Sequence, residues 1–100
     1  HDEVDFIEEQ ISENEYLFSG RLEIDYINEK YPLLDLPEED YHTLSGYIVM
    51  TREEIPEQGS EIIIGNFRFI LEQVSSTKIE VIRMFVLTDD EIENLEEDEN

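Results

Sequence analysis

Residues 41–60, YHTLSGYIVMTREEIPEQGS, decide the fold of this chain, because their first half fits either a helix or a buried strand. Residues 47–50 are apolar at consecutive positions, which is typical of a strand buried on both faces. The helical interpretation rests on side chains that recur at the spacing of one helix face: Tyr41, Leu44, Ile48 and Thr51. Acids at 38–40 precede the run, so the pattern favours a helix over about 41–53, capped by Asp40.

The glycines and the proline in this stretch indicate different structural features. Gly46 lies inside the predicted helix, where a glycine costs about 1 kcal/mol, so we expect a close packing contact there. Ile55, Pro56 and Gly59 belong to a loop with clear turn chemistry, which leads the chain back into a sheet. The stretch is therefore predicted to carry architecture rather than catalysis.

Before this stretch, the sequence predicts a β-hairpin and a short helix. Residues 6–11 and 16–22 have period-two character and are separated by the turn-like residues 12–14. The helix is indicated by apolar side chains at helical spacing: Ile24, Ile27 and Tyr31. Pro32 ends this helix, and the apolar connector 33–37 is expected to cover the core.

After this stretch, the sequence predicts three strands, at 61–64, 67–74 and 78–86. Gly65 and Asn66 suit a hairpin turn, and the last strand is apolar on both faces, which indicates a central position. From Thr88 the acidic run is either a frayed helix or a disordered segment, with apolar residues Ile92 and Leu95. The predicted fold class is α+β, in the order β-β-α-α-β-β-β, with a small antiparallel sheet and two helices on one side.

The charge of the chain is concentrated at its ends. The chain has 28 acids against six Lys and Arg, a formal net charge of -22. Residues 1–13 hold six acids, residues 89–99 hold eight, and neither range holds a Lys or Arg. We therefore expect an acidic N-terminal extension at 1–6, a domain at 7–87 and an acidic C-terminal tail at 88–100. The chain begins with His1 rather than Met, as expected of an excised fragment.

This composition excludes several classes of partner and site. A chain of this sign repels phosphates and anionic lipid surfaces, so we predict neither nucleic-acid binding nor direct membrane contact. The absence of cysteine excludes disulfides and thiolate metal sites. No stretch of the sequence approaches the length of a transmembrane helix.

No motif in the sequence indicates catalysis. His42 stands beside several acids, but one histidine with adjacent carboxylates lacks the spacing of metal ligands. No nucleophile elbow, dinucleotide loop, phosphate-binding loop or EF-hand loop occurs. The aromatic residues fit core positions. Arg21, one of few basic residues, is expected to pair with a nearby acid. We therefore predict no catalytic, cofactor-binding or metal-binding residue.

Several short motifs, each weak alone, are more specific in their order and spacing. They are Gly20-Arg21-Leu22, Asn28-Glu29, Leu36-Pro37, Tyr41, Thr43-Leu44-Ser45-Gly46, Ile55-Pro56, Gly59 and Phe67-Arg68-Phe69. Together they resemble the transporter-associated domain of the CorC/HlyC family over about residues 7–87. The residues that carry this resemblance are expected to be structural.

The resemblance implies a cellular setting. In that family the module closes the chain of hemolysin-like membrane proteins linked to magnesium and cobalt export, after a pair of CBS domains. By this resemblance, the chain would be a non-catalytic regulatory or interaction module on the cytoplasmic side of a membrane, expected to be a bacterial inner membrane. It would pack against the CBS domains of the same parent chain or against a second copy of itself.

Two alternative functions stay open. The family fold is similar to a subdomain of FAD-binding oxidases, so one alternative is a flavin- or adenine-nucleotide-binding domain, although fold similarity alone carries no ligand site. The other is a divalent-cation sensor that uses the acidic surface. The sequence also departs from the family pattern: Glu53-Glu54 stand where a glycine and a basic residue are usual, and Glu23 where a capping Ser or Thr is common.

Overall fold

The computed structural model describes the backbone of residues 6–98 and the side chains of residues 6–95. Its elements are β1 Glu8–Ser12, β2 Glu15–Ser19, α1 Ile24–Lys30, α2 Leu44–Arg52, β3 Glu61–Ile64, β4 Phe67–Val74, β5 Ile79–Val86 and α3 Asp89–Asp98. The predicted order of five strands and two helices is confirmed, and the frayed-helix alternative for the acidic run is the one observed. Of the predicted extension at 1–6, only Phe6 is among the described residues.

All five strands form one antiparallel sheet in the order β1-β2-β5-β4-β3. Ile82 of β5 lies opposite Phe18 of β2 on one side and Leu71 of β4 on the other. The central position predicted for this strand from its two apolar faces is therefore confirmed. The last strand in the chain, β5, therefore pairs with one strand of the β1–β2 hairpin and one strand of the β3–β4 hairpin and joins the two.

One face of the sheet, here called the covered face, packs against α1 and α2. Its strands contribute Tyr16, Phe18, Ile62, Phe67, Phe69, Leu71, Ile82 and Met84, all more than nine-tenths buried. The helices contribute Ile24, Ile27, Leu44, Tyr47 and Ile48. Each such side chain stabilises the fold by roughly 1.5–3 kcal/mol when it is fully buried, so this layer carries most of the stability.

The helix predicted in the deciding stretch is confirmed, but the predicted cap is wrong. The N-cap of α2 is Thr43, whose hydroxyl accepts a hydrogen bond from the Gly46 N–H at 3.0 Å. Asp40 cannot begin the helix, because the residues after it pair with the start of α1. The Ile24 N–H donates to the His42 carbonyl at 2.8 Å, and Thr43 forms a β-bridge with Glu23.

The apolar run at 47–50 divides between core and surface as a helix requires. Tyr47 and Ile48 are buried, whereas Met50 is 53% exposed. Successive side chains of a helix are rotated by about 100°, so an unbroken apolar run cannot all face the core. In the preceding connector, Leu34 and Leu36 cover the core as predicted, but Leu33 is almost fully exposed.

The second face of the sheet, here called the open face, points away from α1 and α2. Its half-buried or exposed side chains include Leu17, Ile63, Arg68, Ile70, Val81, Arg83 and Phe85. The chain then passes through Leu87, which is buried, into α3. Within residues 6–98, no helix is long and apolar enough to cross a membrane.

Candidate functional site

The motif residues around Gly20 meet at one junction between β2, α2 and β5. The Gly20 N–H donates to the Glu80 carbonyl at 2.8 Å, and the Gly20 carbonyl accepts from the Ser45 N–H at 2.8 Å. A Cβ atom at position 20 would overlap the carbonyl oxygen of Ile79 and would lie 3.0 Å from the Cβ of Ser45. Only glycine fits this crossing of three elements.

The same junction joins two motifs that lie far apart in the sequence. The Leu44 N–H donates to the Leu22 carbonyl at 2.9 Å, and both side chains are buried. The Ser45 hydroxyl accepts from the Ile79 N–H at 3.2 Å. A Cβ at Gly46 would lie 3.3 Å from the Thr43 hydroxyl, so its close contact is with the helix cap rather than the sheet. The junction therefore fixes α2 on the sheet.

Asn28 holds the Leu36-Pro37 motif in place. Its side-chain amide donates to the Leu36 carbonyl at 2.8 Å and accepts from the Leu36 N–H at 2.7 Å. Both backbone groups of one residue are thus satisfied by one side chain. The Tyr41 hydroxyl donates to the Pro37 carbonyl at 2.7 Å, which ties the following loop to the same place.

The remaining motif residues lie in the loop from α2 to β3 and at the start of β4. Pro56 is buried and Ile55 is 38% exposed. Gly59 has a φ of 88°, and its N–H donates to the Leu71 carbonyl at 2.7 Å, so the left-handed backbone there begins the pairing with β4. Phe67 and Phe69 lie in the core.

Among the described residues, Arg21 contacts an aromatic ring. Its guanidinium lies over the ring of Phe6, 4.8 Å from the ring centroid. Among the ion pairs between described residues, none involves Arg21, so the expected acid partner is not found there. Such a cation–π contact is worth about 0.5–1 kcal/mol at an exposed site, and here it fastens residue 6 to the end of β2.

A polar cluster joins β1 to α1 through the carboxylate of Glu8. This carboxylate accepts from the Tyr26 hydroxyl at 2.8 Å and the Tyr31 hydroxyl at 3.0 Å, and pairs with the Lys30 ammonium at 2.7 Å. The hydrogen bond from Lys30 is the main reason why the pKa of Glu8 is lowered, and the two hydroxyls add to it. Burial, followed by the hydrogen bond to Glu8, raises the pKa of Tyr31.

An acidic cleft of about 460 Å³ lies between the start of α1 and the loop before α2. Its acidic and histidine lining comprises Glu23, Asp25, Glu38, Glu39 and His42. Within the described residues, no group of three His, Cys, Asp or Glu side chains is placed to hold a metal ion. The carboxylates also oppose the pyrophosphate of a flavin dinucleotide, so this cleft does not fit that cofactor.

On the open face, an arginine lies at the centre and forms ion pairs with two carboxylates. The Arg83 guanidinium pairs with the Glu15 carboxylate at 2.6 Å and the Glu72 carboxylate at 2.8 Å. These two acids raise the pKa of Arg83, with Glu72 the larger contributor. Leu17 and Ile70 lie opposite Arg83 on the two neighbouring strands. The centre of the face therefore combines apolar area with one arginine and two carboxylates, a net charge of -1.

A second arginine sits toward the β3 edge of the open face. Arg68 Nε lies 2.6 Å from a Glu61 carboxylate oxygen without an aligned hydrogen bond, so the two pair by charge. Its guanidinium also lies over the ring of Phe85, 5.6 Å from the centroid. Two of the six basic residues of the chain thus lie on this one face.

The sequence alone does not reveal the partners of Glu8, Asn28 and Arg83. Each of these side chains contacts residues that are distant in the chain. The sequence singles out Arg83 only because basic residues are scarce, and Asn28 only because it belongs to a motif. The structure brings Gly20, Leu22, Leu44 and Gly46 together around α2, whereas Arg21 and Ile55 lie outside this junction.

The fold and these contacts define an α+β scaffold domain in which two helices cover one face of a five-stranded sheet. A family model described as the CorC_HlyC transporter associated domain matches residues 9–87. The chain therefore belongs to the CorC/HlyC transporter-associated domain family, as its motifs predicted.

Solved structures agree with this assignment. A hemolysin domain from Enterococcus faecalis V583 is 31% identical, with a TM-score of 0.69, and the match covers 82% of this chain and 99% of that one. The transporter associated domain of a CBS domain protein from Porphyromonas gingivalis is 26% identical, with a TM-score of 0.64 and coverage of 81% and 98%.

A more distant structure shows the same fold. It is a CorC-associated region, assigned to Mg²⁺ and Co²⁺ transport, from Neisseria meningitidis MC58, with 16% identity, a TM-score of 0.70 and coverage of 80% and 98%. At this identity the likeness shows the fold alone. Among curated proteins, none matches the chain significantly.

Proposed function

We propose that this chain is the non-catalytic regulatory module of a CorC/HlyC-like membrane protein involved in the transport of divalent cations such as Mg²⁺ or Co²⁺. It works on the cytoplasmic side of the membrane and packs against the CBS domains of the same parent chain. The observation that carries this proposal is the family match over residues 9–87. The module comprises residues 7–87, and the acidic tail at 88–100 lies outside it.

The contacts of the motif residues support an architectural role for them. Gly20, Leu22 and Leu44 fix α2 on the sheet, and Asn28 fixes the connector at Leu36. Side chains used in this way hold surfaces in a fixed relation to each other. A module of this kind biases a transporter between two states only if it packs more favourably against one of them.

The proposal is tested by deleting residues 7–87 from the parent protein. We expect membrane insertion to stay intact, while cation transport or its regulation changes. Transport and regulation equal to those of the intact parent would contradict the proposal. Two point variants sharpen this test. Gly20→Ala, which breaks the junction, should reproduce the deletion. In Gly59→Ala the added Cβ meets no atom within 4 Å and only the left-handed backbone is strained, so transport and its regulation should match the parent.

A divalent-cation sensor is the second candidate. The acidic lining of the cleft favours it by charge alone, because no three of the described His, Asp or Glu side chains are placed together as metal ligands. We expect Mg²⁺ to be attracted to Glu38 and Glu39, which line the cleft beside the start of α1. Calorimetric titration in low and high salt separates binding from screening, because only a bound ion resists salt. The variant Glu38→Gln with Glu39→Gln should lose saturable heat, and Glu53→Gln with Glu54→Gln is the control with the same charge change. Heat that vanishes in high salt counts against this candidate.

A further inference from the structure

The start of α3 is fixed by a reciprocal pair of hydrogen bonds. The Thr88 hydroxyl accepts from the Glu91 N–H at 3.2 Å, and the Glu91 carboxylate accepts from the Thr88 N–H at 2.9 Å. This is a capping box, which satisfies two backbone donors at a helix start. Leu87, immediately before it, is buried and its N–H donates to the Asn66 carbonyl at 2.8 Å. The helix therefore leaves the sheet in a defined direction.

This direction places α3 against the open face. Glu91 and Leu87 line two small clefts, of about 170 and 140 Å³, and Arg68 lines both of them. Ile63 and Leu95 also border the larger cleft. The two apolar residues of α3 are only partly exposed: Ile92 and Leu95. An acidic amphipathic helix thus lies beside Ile63 and Arg68, with the larger cleft between them.

The cover that α3 provides is partial. A helix of ten residues is about 15 Å long, whereas a five-stranded sheet is roughly 24 Å wide. Its last turn contains no basic residue, so the negative end of the helix dipole faces like charge. The family match ends at residue 87, before the helix begins. Helix α3 is therefore an addition to the matched domain.

We propose that the open face is a docking surface for an amphipathic helix and that α3 is its occupant in this chain. The contact chemistry is that of α3 itself: two apolar residues three positions apart, preceded by Glu91, which lines the same two clefts as Arg68. A partner helix with this pattern would bind to the open face by displacing α3 from it. The existence of such a partner rests on the proposed function, but the occupation by α3 does not.

The occupation is tested by NMR on the full chain with a neutral paramagnetic agent in solution. Ile63 is 40% exposed beside α3, so the variant Ile92→Asp with Leu95→Asp should increase the relaxation enhancement of the Ile63 methyl groups roughly twofold. The matched control is Ile92→Val with Leu95→Met, which keeps both positions apolar and should match the parent. Equal enhancement at Ile63 in all three chains would overturn the proposal.

Displacement is tested with a synthetic peptide of residues 86–98 in which Glu93, Glu96 and Glu97 are replaced by Gln. In the Ile92→Asp, Leu95→Asp variant, we expect the peptide to shift the amide resonances of Ile63 and Arg68. The shifts should be at least roughly threefold smaller in the parent, where α3 competes for the same surface. No shift in either chain, or equal shifts in both, would overturn the proposal. Neither experiment involves transport, so failure here leaves the proposed function standing.

Discussion

The covered face and the open face of the same sheet use their side chains in different ways. On the covered face, Phe18, Phe69 and Ile82 have no exposed surface and pack against two helices. On the open face, Arg83 and Phe85 on the same strands stay partly exposed, and the arginine pairs with two carboxylates. The strands are shared, so the difference comes only from which side each residue points to.

This difference separates what builds the domain from what is available for contact. Apolar burial on the covered face supplies stability in proportion to the area removed from water. Ion pairs at a partly exposed surface supply far less, because water and salt screen them. Changes on the covered face should therefore be large and act on stability, whereas changes on the open face should be small and leave the fold intact.

The largest effect is expected from Phe69→Ala, compared with Phe85→Ala on the other face. Removing a fully buried phenylalanine leaves a cavity and should lower the free energy of unfolding by about 3–5 kcal/mol. Phe85 is half-buried, so its removal should cost roughly 1–2 kcal/mol. Urea unfolding of both variants measures the difference. Equal losses would show that the two faces contribute alike to stability.

The next effect is expected from Gly20→Ala at the junction. The added Cβ overlaps a backbone carbonyl that cannot move without separating β2 from β5, so we expect a loss of about 3 kcal/mol in the free energy of unfolding. Gly59→Ala is the control. There the methyl group meets open space, and only the left-handed backbone costs roughly 1–2 kcal/mol. A loss at position 20 no larger than at 59 would contradict the tight crossing.

Much of the fold follows from the sequence, because its signals are local. Strand β4 was predicted with its observed bounds, and β5 was recognised as central from apolar residues on both faces. The start of α2 was misplaced because Asp40 and Thr43 are both good caps. The choice between them depends on the pairing of Thr43 with Glu23, which is a contact between distant residues.

The candidate site was less accessible from sequence for the same reason. The partners of Glu8 lie on α1 and at its C-cap, and those of Arg83 lie on β2 and β4. Because these elements are distant in the chain, no local spacing in the sequence predicts the contacts. Arg21 was expected to pair with a carboxylate because acids are abundant, and the contact seen among the described residues is with the ring of Phe6. Amino-acid composition indicates which kinds of contact partner are abundant, whereas the topology of the fold determines which partner lies close enough to bind.

A smaller effect is expected from Glu8→Gln, and it should depend on pH. The pKa of Glu8 in the folded protein lies below the ordinary value of 4.5, so folding favours the ionised form. Its contribution is therefore fully present above about pH 4.5 and is lost as pH falls through the folded pKa. Urea unfolding should show the variant less stable than the parent at pH 7 and equal to it in acid.

The control for this variant is Glu9→Gln, which removes the same charge from an exposed neighbour on β1. It corrects for the relief of repulsion in a chain of net charge -22. A difference between Glu8→Gln and the parent that stays constant from pH 7 into acid would indicate a packing effect. Glu8 would then contribute to the free energy of unfolding through the packing of its side chain rather than through its charge.

The smallest effect is expected from Arg83→Gln at the centre of the open face. The side chain is 29% exposed, and its two ion pairs together should contribute about 1 kcal/mol to the free energy of unfolding in low salt. The difference should shrink in high salt, because screening weakens pairs that water reaches. Lys78→Gln, an exposed change of the same charge, serves as the control. If Arg83→Gln instead cost as much as Phe69→Ala at every salt concentration, the open face would be part of the core, and its place as a surface for contact would be lost.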